Sequence, residues 1–104
     1  KDILFIFIRM KTIRVVAAIV SRKGRLLCVH RPRNAKEYIS LKWEFPGGNL
    51  AAENREQALR REILEELDVE IENLEYFMTV EHTYPDFHLV MHSYTCSIAK
   101  GEPV

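Results

Sequence analysis

Arg61-Glu62-Ile63-Leu64-Glu65-Glu66-Leu67 is the stretch whose reading decides the fold. Leu59, Ile63 and Leu67 recur every four residues, which predicts a helix with one apolar stripe. Each helical residue turns roughly 100°, so Glu62, Glu65 and Glu66 fall within an arc of about 100° beside that stripe. Three carboxylates at the border of a buried face repel one another. A hard divalent cation relieves the repulsion, because magnesium takes carboxylate oxygens together with water and phosphate. Arg61 lies four residues before Glu65 and can orient it, or a neighbour, by hydrogen bonds. The bland alternative is a solvated acidic helix face, since glutamate is simply a good helix former.

Upstream, Asn54 is a good N-cap and Gln57 completes a capping-box pattern. Downstream, Asp68 tolerates the left-handed conformation and predicts the helix stop. Before the helix, Trp43-Glu44-Phe45-Pro46-Gly47-Gly48 predicts a short strand running into a tight, glycine-permitted turn.

Val15-Val16-Ala17-Ala18-Ile19-Val20 is apolar and rich in β-branched residues, the pattern of a strand buried on both faces. Ser21 to Gly24 supply turn chemistry, and a second strand is expected over 25–31, ended by Pro32. Residues 32–42 read as a loop. Val69 and Ile71 begin a return to strand. Stretches 74–84 and 87–99 predict a hairpin turning at Tyr84-Pro85-Asp86-Phe87. The order is β-β-loop-α-β-β, without repeats or low-complexity segments.

The chain has 104 residues, 47% hydrophobic and 29% charged, enough for one globular domain and too few for two. Its 15 basic and 15 acidic residues balance, which argues against a protein that coats nucleic-acid polymers. A small phosphate ligand needs only a local site. Cys28 and Cys96 are isolated and fit buried free thiols of a reducing compartment, so the cytoplasm is the expected location. Ile3 to Ile8 form an apolar run too short to span a bilayer and lacking the flanks of a signal peptide. We read residues 1–9 as an extension, either an added edge strand or an unstructured segment, and 10–104 as the domain. His82, His88 and His92 fall in the expected hairpin; a zinc site there is the weaker reading. Trp43, Tyr84 and Phe87 could stack on a base, though packing is the commoner role.

Gly47-Gly48, Glu53 and Arg61-Glu62-Ile63-Leu64-Glu65-Glu66-Leu67-Asp68-Val69 together resemble the Nudix box, and Trp43 to Gly48 resemble the lead-in of its MutT-like branch. The resemblance extends over roughly residues 10–102. It implies an α/β (α+β) fold, an α/β/α sandwich with a mixed sheet, and hydrolysis of a nucleoside di- or triphosphate. The nucleotide-pool substrates of that branch include oxidised purine and cytidine nucleotides. It further implies that Glu62, Glu65 and Glu66 ligate the metal (Mg2+, with Mn2+ as an alternative) and that the Gly47 carbonyl completes the shell. Arg61 and Glu53 would support catalysis, and Arg31, Phe45, Gly47 and Gly48 would meet the substrate. The implied partner is a small-molecule nucleotide, with neither a nucleic-acid polymer nor a membrane; a homodimer is left open. A non-catalytic module binding a nucleotide or ADP-ribose, or an inactive fragment, are the competing readings.

The pattern also departs from the family. The segment from Gly48 to Glu53 is one residue short against MutT-like relatives and lacks their acidic residue and glycine. Asp68 stands where the box has glycine. MutT-like domains continue beyond the point matching Val104 with a strand and a helix, so the resemblance implies C-terminal truncation.

Overall fold

The computed structural model describes residues 2–5, 11–30 and 43–104. Strand β1 (Lys11–Arg22) is the centre of a mixed sheet. Its even-numbered residues Val16, Ala18 and Val20 are buried on one face, and Ala17 is buried on the other. A strand covered on both faces has no polar alternation, which is why 15–20 reads as a continuous apolar run.

Two residues, Lys23 and Gly24, turn the chain into β2 (Arg25–Leu26), with Arg22 opposite Arg25. Both turn residues have positive φ, 52° and 75°. That is the backbone of a two-residue hairpin turn matched to strand twist. The expected second strand over 25–31 is broken, because β3 (Val29–His30) leaves the main sheet to pair with β4 (Trp43–Glu44). Cys28 sits in the break and is exposed, contrary to the buried thiol expected there; Cys96 is buried. Burial pushes the Cys96 thiol up to about 11, so it packs as a small apolar group.

Gly47–Asn49 form a strand, β5, rather than the expected tight turn. It pairs antiparallel with β1, Val15 opposite Asn49 and Ala17 opposite Gly47. Neither Gly47 nor Gly48 has positive φ. Their use is close approach: a Cβ on Gly47 would lie 2.0 Å from the Val16 carbonyl oxygen.

Helix α1 (Arg55–Leu67) begins and ends as the sequence reads. The Asn54 side chain accepts the Gln57 N–H, Gln57 Oε1 accepts the Asn54 N–H, and Asp68 caps the other end with φ 57°. Ala58, Leu59, Ile63 and Leu67 pack on Val16, Ala18, Val20, Tyr94 and Cys96 to form the core.

The hairpin of β6 (Glu70–Thr83) and β7 (Phe87–Lys100) completes the sheet. Its turn lies where expected, and Tyr84 N–H donates to the Phe87 carbonyl at 2.8 Å. β7 runs parallel to β1, from Lys11 opposite Phe87 to Val20 opposite Cys96. The sheet order is therefore β2-β1-β7-β6, with β5 also on β1. One helix covers one face, giving a mixed α+β fold; among the described residues there is no second helical layer. Ile3, Leu4 and Phe5 are exposed and lie in no strand. Among the described residues no helix is long and apolar enough to cross a membrane.

Candidate active site

The helix and β5 meet edge-on, and the junction is a single close contact. A Cβ built on Gly48 would lie 2.1 Å from Glu62 Oε2 and 2.2 Å from its Cδ. The Glu62 carboxyl therefore occupies the space that any other residue at 48 would fill. The capped helix fixes Glu62 from one side and the β1–β5 ladder fixes Gly48 from the other.

Arg61 ties the acidic residues together. Its Nε and Nη2 donate to both oxygens of Glu53 at 3.0 and 2.9 Å, a bidentate pairing. Its Nη1 donates to Glu62 at 2.9 Å and to Glu65 at 3.4 Å, and Nη2 also reaches the Asn49 carbonyl at 3.3 Å. One guanidinium thus joins the start of the helix, its middle and β5. The Arg61 hydrogen bond holds the Glu53 carboxyl below its usual range. Pairing with Glu53 and Glu62 pushes Arg61 itself up, so it stays charged throughout.

Glu62 is half-buried, with 21% of its side chain exposed, while Glu65 is 60% exposed. Glu66, one turn on from Glu62, is exposed as well. The border position expected from the helical arc thus describes Glu62 best. Among the described residues no group of three or more His, Cys, Asp or Glu converges on a common point as it stands. The donor set is nonetheless one for a hard cation: carboxylates three and four apart on one helix face, beside a glycine with no Cβ in the way.

On the other side of β5 lies an apolar cleft of about 360 Å³. Gly47 and Gly48 form its edge nearest Glu62, and Phe45, half-buried, lines it. Tyr84 and Phe87 also line it, their rings stacked 4.8 Å apart. Val15, Leu89 and Met91 also line it, three positions that the sequence did not single out. The signal was present, since they sit on the face of β1 and β7 opposite the helix, but a doubly covered strand does not announce which face is which.

Other expectations are placed less favourably. Trp43 is 70% exposed and packs on His30, away from the cleft. Arg31 lies outside the described residues. The three hairpin imidazoles take separate partners: His82 meets Tyr84 edge-on, His88 bonds Thr83 and Glu81, and His92 bonds Thr79.

The family model that matches this chain is the NUDIX domain, over residues 15–104. The chain is 32% identical over 94 residues to the 8-oxo-dGTP diphosphatase of Proteus vulgaris, covering 88% of this chain and 82% of that protein. It is 38% identical over 92 residues to the CTP pyrophosphohydrolase of Escherichia coli (strain K12), covering 76% and 67%. Among solved structures it is similar to the MutT NUDIX hydrolase from Burkholderia pseudomallei, with TM-score 0.80 and 30% identity over 90% of this chain and 73% of that one.

Proposed function

This chain belongs to the NUDIX domain family, as a MutT-like hydrolase, and on that premise we propose that it cleaves a nucleoside triphosphate to the monophosphate and pyrophosphate, with Glu62, Glu65 and Glu66 as metal ligands. The observation that carries the reading is the Glu62 carboxyl seated against Gly48, a glycine that also lines an apolar cleft sized for a base. Relatives named for 8-oxo-dGTP and for CTP both fit this assignment, so oxidised purine and cytidine nucleotides are the substrates to examine first.

Each residue has a role in this scheme. Phe45, Tyr84 and Phe87 hold the base and keep water from it. Gly47 and Gly48 bring the bare backbone of β5 between that cleft and the helix carboxylates, and the Gly47 carbonyl is a further oxygen ligand. Arg61 holds Glu53, Glu62 and Glu65 in register, so that little reorganisation is left for the reaction. Glu62, half-buried, is our first choice for taking the proton of the attacking water. When bound, a divalent cation (Mg2+, or Mn2+ in its place) supplies neutralisation of the phosphate oxygens and a more acidic water. Arg31 is the proposed further phosphate contact. The free cysteines suit work in the cytoplasm on a small-molecule nucleotide.

The test is a pyrophosphate-release screen with magnesium over canonical and oxidised nucleotides. Glu66→Gln is expected to abolish turnover while leaving the melting temperature in place. Turnover unaffected by that change overturns the mechanism.

A further inference from the structure

We infer that the amino-terminal end of α1 carries an oxyanion-binding cleft, suited to a phosphate group and separate from both the helix carboxylates and the apolar cleft. The cleft holds about 530 Å³ and is lined by Leu50, Glu53, Asn54, Arg55, Glu56 and Tyr94. It lies on the helix-covered side of the sheet.

The capping box leaves donors over. Asn54 and Gln57 satisfy each other, and Ala58 N–H returns to the Asn54 carbonyl at 2.9 Å. The backbone N–H groups of Arg55 and Glu56 have no partner among the described residues. Unsatisfied N–H groups at the positive end of a helix attract anions. An independent observation points the same way. Tyr94 is 7% exposed, and its hydroxyl has no hydrogen-bond partner among the described residues. A buried hydroxyl left unpaired is costly, and a ligand oxygen in the cleft that Tyr94 lines would satisfy it.

The local charge favours an anion. Arg55, in the first turn, and Arg14, on β1, make no ion pair among the described residues. Both guanidiniums reach far enough to act on buried His92, whose pKa is lowered by burial first and by these charges next. The opposing charges are Glu53, which Arg61 already engages, Glu81, which bonds His88, and Glu56. Arg55 and a helix terminus at the cleft, with Arg14 contributing positive charge from β1, thus oppose one uncompensated carboxylate. The donors at the cleft for a phosphate are the Tyr94 hydroxyl, the two N–H groups and the Arg55 side chain. The inference does not depend on the hydrolase reading.

The experiment is thermal melting of the chain with EDTA present, so that no metal bridges an anion to the helix carboxylates. Inorganic phosphate, or glycerol phosphate as an ester with no base for the apolar cleft, is titrated against chloride at constant ionic strength. Phosphate is expected to raise the melting temperature. Tyr94→Phe should weaken that binding about tenfold while raising, or at least not lowering, the phosphate-free melt, since the hydroxyl it removes is buried without a partner among the described residues. Arg55→Gln, on an exposed side chain, should weaken it similarly and decides the matter if Tyr94→Phe does not fold. A larger shift with the glycerol ester identifies a phosphate ester as ligand, and an equal shift identifies free phosphate. No phosphate-specific shift in the parent chain, or a shift kept in full by either variant, overturns the proposal.

Discussion

Gly48→Ala separates the contact that places Glu62 from the contacts that hold the fold. Gly48 is not among the residues with positive φ, so alanine can adopt its backbone without strain. Replacing glycine at such a position typically stabilises by roughly 0.4–1 kcal/mol through the unfolded chain. The cost falls on Glu62. The new methyl would stand 2.1 Å from Oε2, and ordinary contact begins near 3.4 Å, so the carboxylate must retreat by about 1.3 Å. Its side chain is 21% exposed and has solvent to move into, at the expense of the 2.9 Å pairing with Arg61. Misplacement of a reacting group by about 1 Å can cost on the order of 100-fold in rate. The expected outcome is therefore a melting midpoint displaced by less than about 1 kcal/mol and a fall of about 100-fold in kcat/KM for nucleotide hydrolysis. Pyrophosphate release and thermal melting on the same preparation measure both. Adding Glu62→Gln to Gly48→Ala should cost little more than either alone, because both remove one placed carboxylate. Activity within about twofold of the parent in Gly48→Ala, where the 100-fold fall was expected, would refute the reasoning.

Three further outcomes follow from the packing and the ionisation of single groups. Leu59 is fully buried between helix and sheet, so Leu59→Ala should lower unfolding free energy by roughly 2–5 kcal/mol in denaturant melts. Asp68 holds a left-handed cap at φ 57°, so Asp68→Gly should raise stability by about 1 kcal/mol and Asp68→Ala should not. Burial first, and then the charges of Arg55 and Arg14, lower the His92 pKa from the ordinary value of 6.5. A lowered histidine pKa contributes stability that is complete above the ordinary value and is lost as pH falls through the lowered one. Stability measured against pH should decline below about 6.5, and His92→Gln should flatten that part of the profile.

The helix was legible down to its caps because every signal for it is local. Asn54, Gln57 and Asp68 act within one turn of chain, and Leu59, Ile63 and Leu67 declare their common face by spacing alone. The β6–β7 hairpin was legible for the same reason, since its turn residues are contiguous. Legibility failed where the deciding partner is remote. Gly47 and Gly48 carry a turn-like composition, yet β1, some thirty residues upstream, recruits them as a strand. Leu26 to Val29 read as one strand, and only the remote pairing with Trp43 and Glu44 divides it. Within the site, the identities of Glu53, Arg61 and Glu62 were readable, but the reach of one guanidinium to all three carboxylate positions and to the Asn49 carbonyl was not.

That remote pairing also explains why both glycines are needed, each for a different neighbour. Gly47 has no room for a Cβ because β1 runs against it, and Gly48 has none because Glu62 does. Successive residues of a strand point to opposite sides, so two adjacent glycines clear both sides of β5 at one point. One clearance lets the strand sit tightly on the sheet that floors the apolar cleft, and the other admits the helix carboxylate. The order of the two requirements matters. The sheet fixes β5, β5 fixes where Glu62 can rest, and Arg61 then joins that position to Glu53 and Asn49, whose own positions the capped helix and the ladder set. Loosening the ladder at Ala17 and Gly47 should therefore disturb the carboxylates, whereas changing Glu65, the most exposed acid paired with Arg61, should leave the ladder as it is.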